Sequence, residues 1–151
     1  MKTIIFVCHG NICRSVAAEF IMKKMIKERK LDGKFNVFSR ATSLEEIGND
    51  IYPPMKRELL SRGVPFARHF AERITQRDYE EADYIYYMDE HNKAYLDRLV
   101  DDYKHIIQPI TIYETSMTMI EDPWYTDRYE KVCDQLEICI DHILSNLIKQ
   151  L

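Results

Sequence analysis

Short β-rich apolar runs alternate with longer amphipathic runs four times along this chain, and that alternation limits the fold more than any other feature. Residues 3–7, 35–38 and 84–88 have strand character, and Ile106-Ile107 opens a shorter fourth strand. Helical patterns cover 16–31, 51–61, 89–100 and 128–149, with a short helix over 78–81 that Thr75 is suited to cap. In the last helix Tyr129, Val132, Leu136, Ile140, Ile143, Leu144 and Leu147 form one apolar stripe. Strands joined through helices pair in parallel, and helices then cover both faces of the sheet. The expectation is one α/β domain over residues 1–151, a length sufficient for a sizeable core. Only residues 110–127 have weak periodicity, and a loop of that length in a small domain is commonly functional.

Ligands of a parallel α/β sheet bind beyond the carboxyl ends of its strands. Cys8, Ser39 and Asp89 all fall at or just past such ends. The richest stretch is Cys8-His9-Gly10-Asn11-Ile12-Cys13-Arg14-Ser15, a turn between the first strand and the first helix. Gly10-Asn11 tolerates the backbone angles that point successive N–H groups inward to form an anion nest. The following helix N-terminus adds its unpaired N–H groups and positive dipole. Arg14 can grip two oxygens of a phosphate through its planar fork. The same positive field favours a thiolate at Cys8, and a thiolate facing a phosphoryl group is a nucleophile. A nucleotide-binding P-loop does not fit, because the turn lacks Gly-Lys-Ser/Thr.

Attack on an aryl phosphate also needs an acid at the leaving oxygen, since a phenolate has a conjugate acid with a pKa near 10. The loop at 110–127 supplies Asp122, fixed by Pro123 and followed by Trp124 and Tyr125, whose rings can wall a cleft. Asp122 can give a proton to the leaving group and later take one from water.

Composition narrows the partners. The net charge of -4 argues against a general nucleic-acid surface, and no stretch approaches the roughly 20 apolar residues of a membrane span. Without a signal peptide, and with four unevenly spaced cysteines, a cytoplasmic location is expected. A lone cysteine is more often inert packing than a nucleophile. Cys8 departs from that rule only because Arg14, the turn and Asp122-Pro123 accompany it. A zinc site from Cys8, His9 and Cys13 has poor ligand spacing. Cys133 and Cys139, on the last helix, are expected to pack in the core.

The stretch from Cys8 to Ser15 resembles the phosphate-binding loop of the low-molecular-weight protein tyrosine phosphatases. Asp122-Pro123 resembles their acid loop, and residues 84–92 resemble a further family segment. The resemblance implies a three-layer α/β/α fold with a four-stranded parallel sheet. It implies hydrolysis of phosphotyrosine in proteins or peptides, and of small aryl phosphates, through a phosphocysteine on Cys8, without metal or cofactor. Arg14 would hold the phosphoryl group and Asp122 would be the general acid and base. Asn11, Ser15, Ser39 and His69 match positions of a hydrogen-bond network that holds the loop. His9, Ile12, Trp124 and Tyr125 would line the substrate cleft, and inorganic phosphate or vanadate would occupy the site. Cys13 matches a second family cysteine that can pair reversibly with Cys8.

The chain also departs from the family pattern. Val16 replaces a proline after Arg-Ser, which is expected to loosen the helix start. Arsenate reductases of this fold need further cysteines near the third strand, and residues 76–100 contain none. Arginine phosphatases of this fold tend to carry threonine where Ile12 stands, so Ile12 favours phosphotyrosine.

Overall fold

The computed structural model describes residues 1–151 and carries one four-stranded parallel sheet in the order β2-β1-β3-β4. The strands are β1 (Lys2–Cys8), β2 (Phe35–Ala41), β3 (Tyr84–Tyr87) and β4 (Ile107–Pro109). The helices are α1 (Arg14–Glu28), α2 (Pro53–Ser61), α3 (Gln76–Glu81), α4 (Glu90–Leu99), α5 (Pro123–Thr126) and α6 (Tyr129–Ile148).

The period-two alternation of β1 sorts its side chains between two cores. Ile4, Phe6 and Cys8 face a large cluster built with α1, α2 and α6, where Val16, Met22, Met55, Leu136 and Ile140 are buried. Ile5 and Val7 face a smaller cluster holding Tyr79 of α3 and Leu96 of α4. Helices therefore cover both faces, and the expected α/β/α layering is present. The α6 stripe is confirmed: Val132, Leu136, Ile140, Ile143 and Leu144 are all fully buried. Fully burying one such side chain contributes about 1.5–3 kcal/mol, so this stripe is what fixes α6.

Strand order decides where a ligand can enter. From β1 the chain crosses one way to β2 and then back over β1 to β3. The crevice where these crossovers diverge opens at the carboxyl ends of β1 and β3. Cys8 ends β1, and Asp89 follows β3 as the N-cap of α4. Two hydrogen bonds close that cap: the Asn92 N–H donates to Asp89 Oδ1, and the Asp89 N–H donates to Asn92 Oδ1. Thr75 caps α3 in the same reciprocal manner with Asp78.

Several boundaries differ from the sequence expectation. β2 continues to Ala41, so Ser39 lies within the strand instead of in a loop after it. Pairing explains this, since Phe6, Val7 and Cys8 of β1 continue to match Ser39, Arg40 and Ala41. The alternation of β2 buries Phe35, Val37, Ser39 and Ala41, which places a serine on an inward register position. α1 starts at Arg14, two residues earlier than its apolar periodicity, and Val16 is fully buried in its first turn. Residues 110–127 hold the short helix α5, with Asp122 as N-cap and Pro123 at the first helical position. No helix is long and apolar enough to cross a membrane.

Candidate active site

Residues 8–15 wrap around the sulfur of Cys8. The backbone N–H groups of Asn11 and Ser15 both point at Sγ from 3.4 Å. Asn11 takes the left-handed conformation, φ 61°, which turns its N–H inward. Asparagine tolerates that region better than most residues. Gly10 serves a different purpose from Asn11: a Cβ there would lie 3.3 Å from the Glu46 side chain. A side chain at Gly10 would press on Glu46, whereas Asn11 is set by its backbone conformation.

Behind the loop, the side chains of Asn11, Ser15, Ser39, Glu19 and His69 all have partners. Asn11 Nδ2 donates to Ser15 Oγ at 2.8 Å and to Ser39 Oγ at 3.0 Å. The Ser39 hydroxyl donates to Glu19 Oε1 at 2.7 Å. Ser15 Oγ lies 3.0 Å from Cys8 Sγ. Because Asn11 already donates to that oxygen, the Ser15 hydroxyl hydrogen is free to point at the sulfur, as a thiolate requires. His69 Nε2 lies 2.6 Å from the Asn11 carbonyl. A carbonyl only accepts, so Nε2 carries the hydrogen. Tyr52 N–H donates to the Ile12 carbonyl at 2.9 Å, and Glu72 N–H donates to Asn11 Oδ1 at 3.2 Å. Asn11, Ser15 and Ser39 are at most 1% exposed. At that burial an unpaired polar group would cost about 1–3 kcal/mol, so the network holds one loop conformation.

Arg14 closes the arrangement from the side of β3. Its NH1 group donates to Asp89 Oδ2 at 2.7 Å and to the Ile120 carbonyl at 3.0 Å. Its NH2 group lies 3.4 Å from Asp122 Oδ2. Burial works against the charge of Arg14, but Cys8, Asp89 and Asp122 outweigh it and raise its pKa. Burial also raises the pKa of Cys13, reinforced by Cys8 and Asp122, so Cys13 remains a neutral thiol. Of the two loop cysteines, only Cys8 is surrounded by donors.

In front of the sulfur lies a cleft of about 350 Å³ lined by Cys8, His9, Gly10, Ile12, Cys13 and Arg14, with Glu45, Glu46, Asp122, Trp124 and Tyr125 around its mouth. Asp122 accepts from the Trp124 N–H at 3.0 Å, which holds its carboxylate over the cleft. The ring of Trp124 packs on Tyr52, centroids 5.4 Å apart. No group of three or more His, Cys, Asp or Glu side chains is placed to hold a metal ion.

The structure thus brings together all the residues singled out in the sequence: the loop from Cys8 to Ser15, Ser39 and His69 behind it, and Asp122, Trp124 and Tyr125 before it. Two residues carry more than the sequence disclosed. Asp89 caps α4 and also anchors Arg14. Glu19 ends the chain of hydrogen bonds that begins at Cys8, and Lys23 holds it at 2.6 Å. The available signal was a carboxylate one helical turn after Ser15, directly following the buried Val16, Ala17 and Ala18.

A thiol ringed by N–H groups at the switch point of a parallel sheet, with a buried arginine and an aspartate opposite, defines a cysteine-based phosphatase fold. Residues 3–151 match the family model for low molecular weight phosphotyrosine protein phosphatase. A phosphatase of that name from Gallus gallus is 36% identical over 148 residues, covering 92% of this chain and 91% of the relative. The low molecular weight protein-tyrosine-phosphatase YfkJ of Bacillus subtilis is 30% identical over 99% of this chain and 98% of its own. The crystal structure of YfkJ superposes with a TM-score of 0.94 over 99% of this chain and 96% of that one. A protein tyrosine phosphatase from Entamoeba histolytica, crystallised with Hepes in its active site, gives a TM-score of 0.91 at 30% identity, over 99% of both chains. The chain belongs to the low molecular weight phosphotyrosine protein phosphatase family.

Proposed function

We propose that this chain, as one domain, hydrolyses phosphotyrosine in proteins or peptides, and small aryl phosphates, in two displacement steps without metal or cofactor. In the first step Cys8 Sγ attacks phosphorus. The S–P bond forms as the P–O bond to the tyrosine ring breaks, and Asp122 gives its proton to the departing oxygen. In the second step Asp122 takes a proton from water, whose oxygen attacks the phosphocysteine and releases inorganic phosphate and the Cys8 thiolate. The N–H groups of the loop and the Arg14 fork hold the three non-bridging oxygens throughout. An arriving phosphoryl dianion displaces Asp122 from Arg14, which frees the aspartate for its acid role.

The observation that carries this reading is the coordination of the Cys8 sulfur by the Asn11 and Ser15 N–H groups and the Ser15 hydroxyl, opposite Asp122 across one cleft. Ile12 supports an aryl substrate, because its apolar side chain lines that cleft. Four free cysteines suit a reducing, cytoplasmic setting. Cys13, on the same loop, is the proposed resolving thiol. A peroxide would oxidise Cys8 to a sulfenic acid, and condensation with Cys13 would give a disulfide and water. Recovery of activity after dithiothreitol in the native chain, and its loss in Cys13→Ser, tests that role.

The main test is turnover of para-nitrophenyl phosphate and a phosphotyrosine peptide, with and without chelator and vanadate. Activity that survives chelator, falls with vanadate and vanishes in Cys8→Ser is expected. Activity abolished by chelator, or retained in Cys8→Ser, overturns the mechanism.

A further inference from the structure

A second groove lies against the first. It has a volume of about 570 Å³, and its walls include His9, Leu44, Glu45, Arg73, Tyr95 and Arg98. His9 and Glu45 line both cavities, so their side chains form the ridge between them. His9 Nε2 lies 3.1 Å from Glu45 Oε2, and its ring meets Tyr95 edge-on. The floor of the groove is tied to the phosphate loop by backbone. Thr42 N–H donates to the Cys8 carbonyl at 2.9 Å and Ser43 N–H to the His9 carbonyl at 3.0 Å. The two cavities therefore keep a fixed spacing.

The arginines of this chain are otherwise well occupied. Arg14, Arg29, Arg40, Arg62, Arg68, Arg77 and Arg128 each contact a carboxylate within 4.0 Å, and only Arg57, Arg73 and Arg98 do not. Two of those three line this one groove. Both side chains are exposed, and Arg98 lies over the Tyr95 ring, 5.7 Å from its centroid, which leaves its N–H edge open. Two guanidinium groups without a carboxylate partner on one groove present donors to an oxyanion that enters from outside. The Glu45 carboxylate also borders the groove, but His9 engages it on the ridge. Exposed Leu44 and Tyr95, with Leu99, give apolar wall for a peptide chain.

We infer that this groove is a specificity subsite for a carboxylate side chain, an Asp or Glu flanking the phosphotyrosine of the substrate peptide. The inference rests on the phosphotyrosine reading of the first cleft. The peptide crosses the His9–Glu45 ridge with its phosphotyrosine over Cys8. Its acidic side chain then accepts from Arg73 and Arg98. On a chain with a net charge of -4, a cationic groove beside the site offsets repulsion of acidic substrates.

The test compares phosphotyrosine peptides that differ only in Asp or Asn at each position flanking the phosphotyrosine, with para-nitrophenyl phosphate as a substrate too small to reach the groove. At one or more positions kcat/KM for the Asp peptide is expected to exceed that for the Asn peptide by about two- to fivefold, the range of exposed ion pairs. Arg73→Ala/Arg98→Ala should erase that preference, and Arg73→Glu/Arg98→Glu should reverse it, with turnover of the small substrate unchanged within about twofold. Both arginines are exposed, so the variants keep the fold. Equal rates for Asp and Asn peptides at all positions, or a preference that survives the double substitutions, overturns the subsite. No turnover of para-nitrophenyl phosphate by the native chain overturns the phosphatase reading instead.

Discussion

The back and the front of the phosphate loop are built differently. Behind Cys8, the side chains of Asn11, Ser15, Ser39, Glu19 and His69 are buried and mutually hydrogen-bonded, so the loop has its final shape before any ligand arrives. In front, Asp122 is held to Arg14 across 3.4 Å, and Trp124 and Tyr125 are 60% and 84% exposed. A binding site fixed in advance avoids the ordering cost during reaction, whereas a rim of exposed rings can adapt to different peptides. The back should therefore govern the transition state for every substrate. The front should distinguish one substrate from another.

The largest effect that tests this division is at Arg14. Arg14→Lys keeps the charge but loses the fork, and it leaves Asp89 with a poorer partner. We expect kcat/KM to fall by about 10²–10³-fold on all aryl phosphates alike. A loss that varies with the leaving group would break the division. Next comes Asp122→Ala, for which phosphotyrosine turnover should fall by about 10²-fold or more while para-nitrophenyl phosphate, with its better leaving group, loses far less. Equal losses on the two substrates would remove Asp122 from the acid role. Glu19 gives a subtler test of the back. Glu19→Ala leaves the Ser39 hydroxyl without its acceptor, and we expect about a tenfold fall in kcat on both substrates, with Glu19→Gln restoring most of it. Unchanged kcat with lower stability alone would reduce Glu19 to a packing role.

Asp50 bears on the shape of the loop through stability. Burial opposes its ionisation, but hydrogen bonds from Lys56, the His69 and Ile51 N–H groups and Arg68 outweigh this and hold its carboxyl well below the usual range. Those contacts fasten the segment that presents His69 to Asn11. A carboxyl with a depressed folded-state pKa stabilises the fold above its unfolded value, about 3.9, and that contribution is lost as pH falls below it. Asp50→Asn should be about 1–2 kcal/mol less stable near neutral pH, with the gap from the native chain closing in acid. Urea midpoints measured across the acid range check this, and a gap independent of pH would refute it.

The difference between back and front also explains what the sequence disclosed. Cys8, Arg14 and Asp122 were legible because their chemistry leaves few alternatives and because a local signal marks each: Cys8 ends a strand, Arg14 opens a helix and Asp122 precedes a proline. The parallel sheet was legible from alternation alone. Ser39 was misplaced into a loop because its polarity suggested one, whereas pairing with Phe6 continues the strand and the buried register uses its hydroxyl. Glu19 and the Arg14 anchor role of Asp89 were hidden for the same reason: their partners are distant in sequence, and no local pattern records a hydrogen bond between elements. The short helix α5 escaped because four residues carry too little periodicity to distinguish a helix from a loop.

The smallest effect belongs to the rim. Trp124 packs on Tyr52, which stacks in turn on Tyr129, so its ring is part of a small aromatic group. Tyr125 is more exposed and packs in no such group. If the front is adaptable, Tyr125→Ala should raise KM for a phosphotyrosine peptide by about two- to fivefold with kcat unchanged, the size of one exposed aromatic contact. Trp124→Ala should do the same and also lower kcat modestly, because the packing of its ring on Tyr52 steadies the short helix whose backbone N–H holds the Asp122 carboxylate. Para-nitrophenyl phosphate, which reaches only the floor of the cleft, should barely register Tyr125→Ala. A fall in kcat on that small substrate would mean that the rim is coupled to the chemistry, and the separation between a fixed back and a permissive front would then fail at Tyr125.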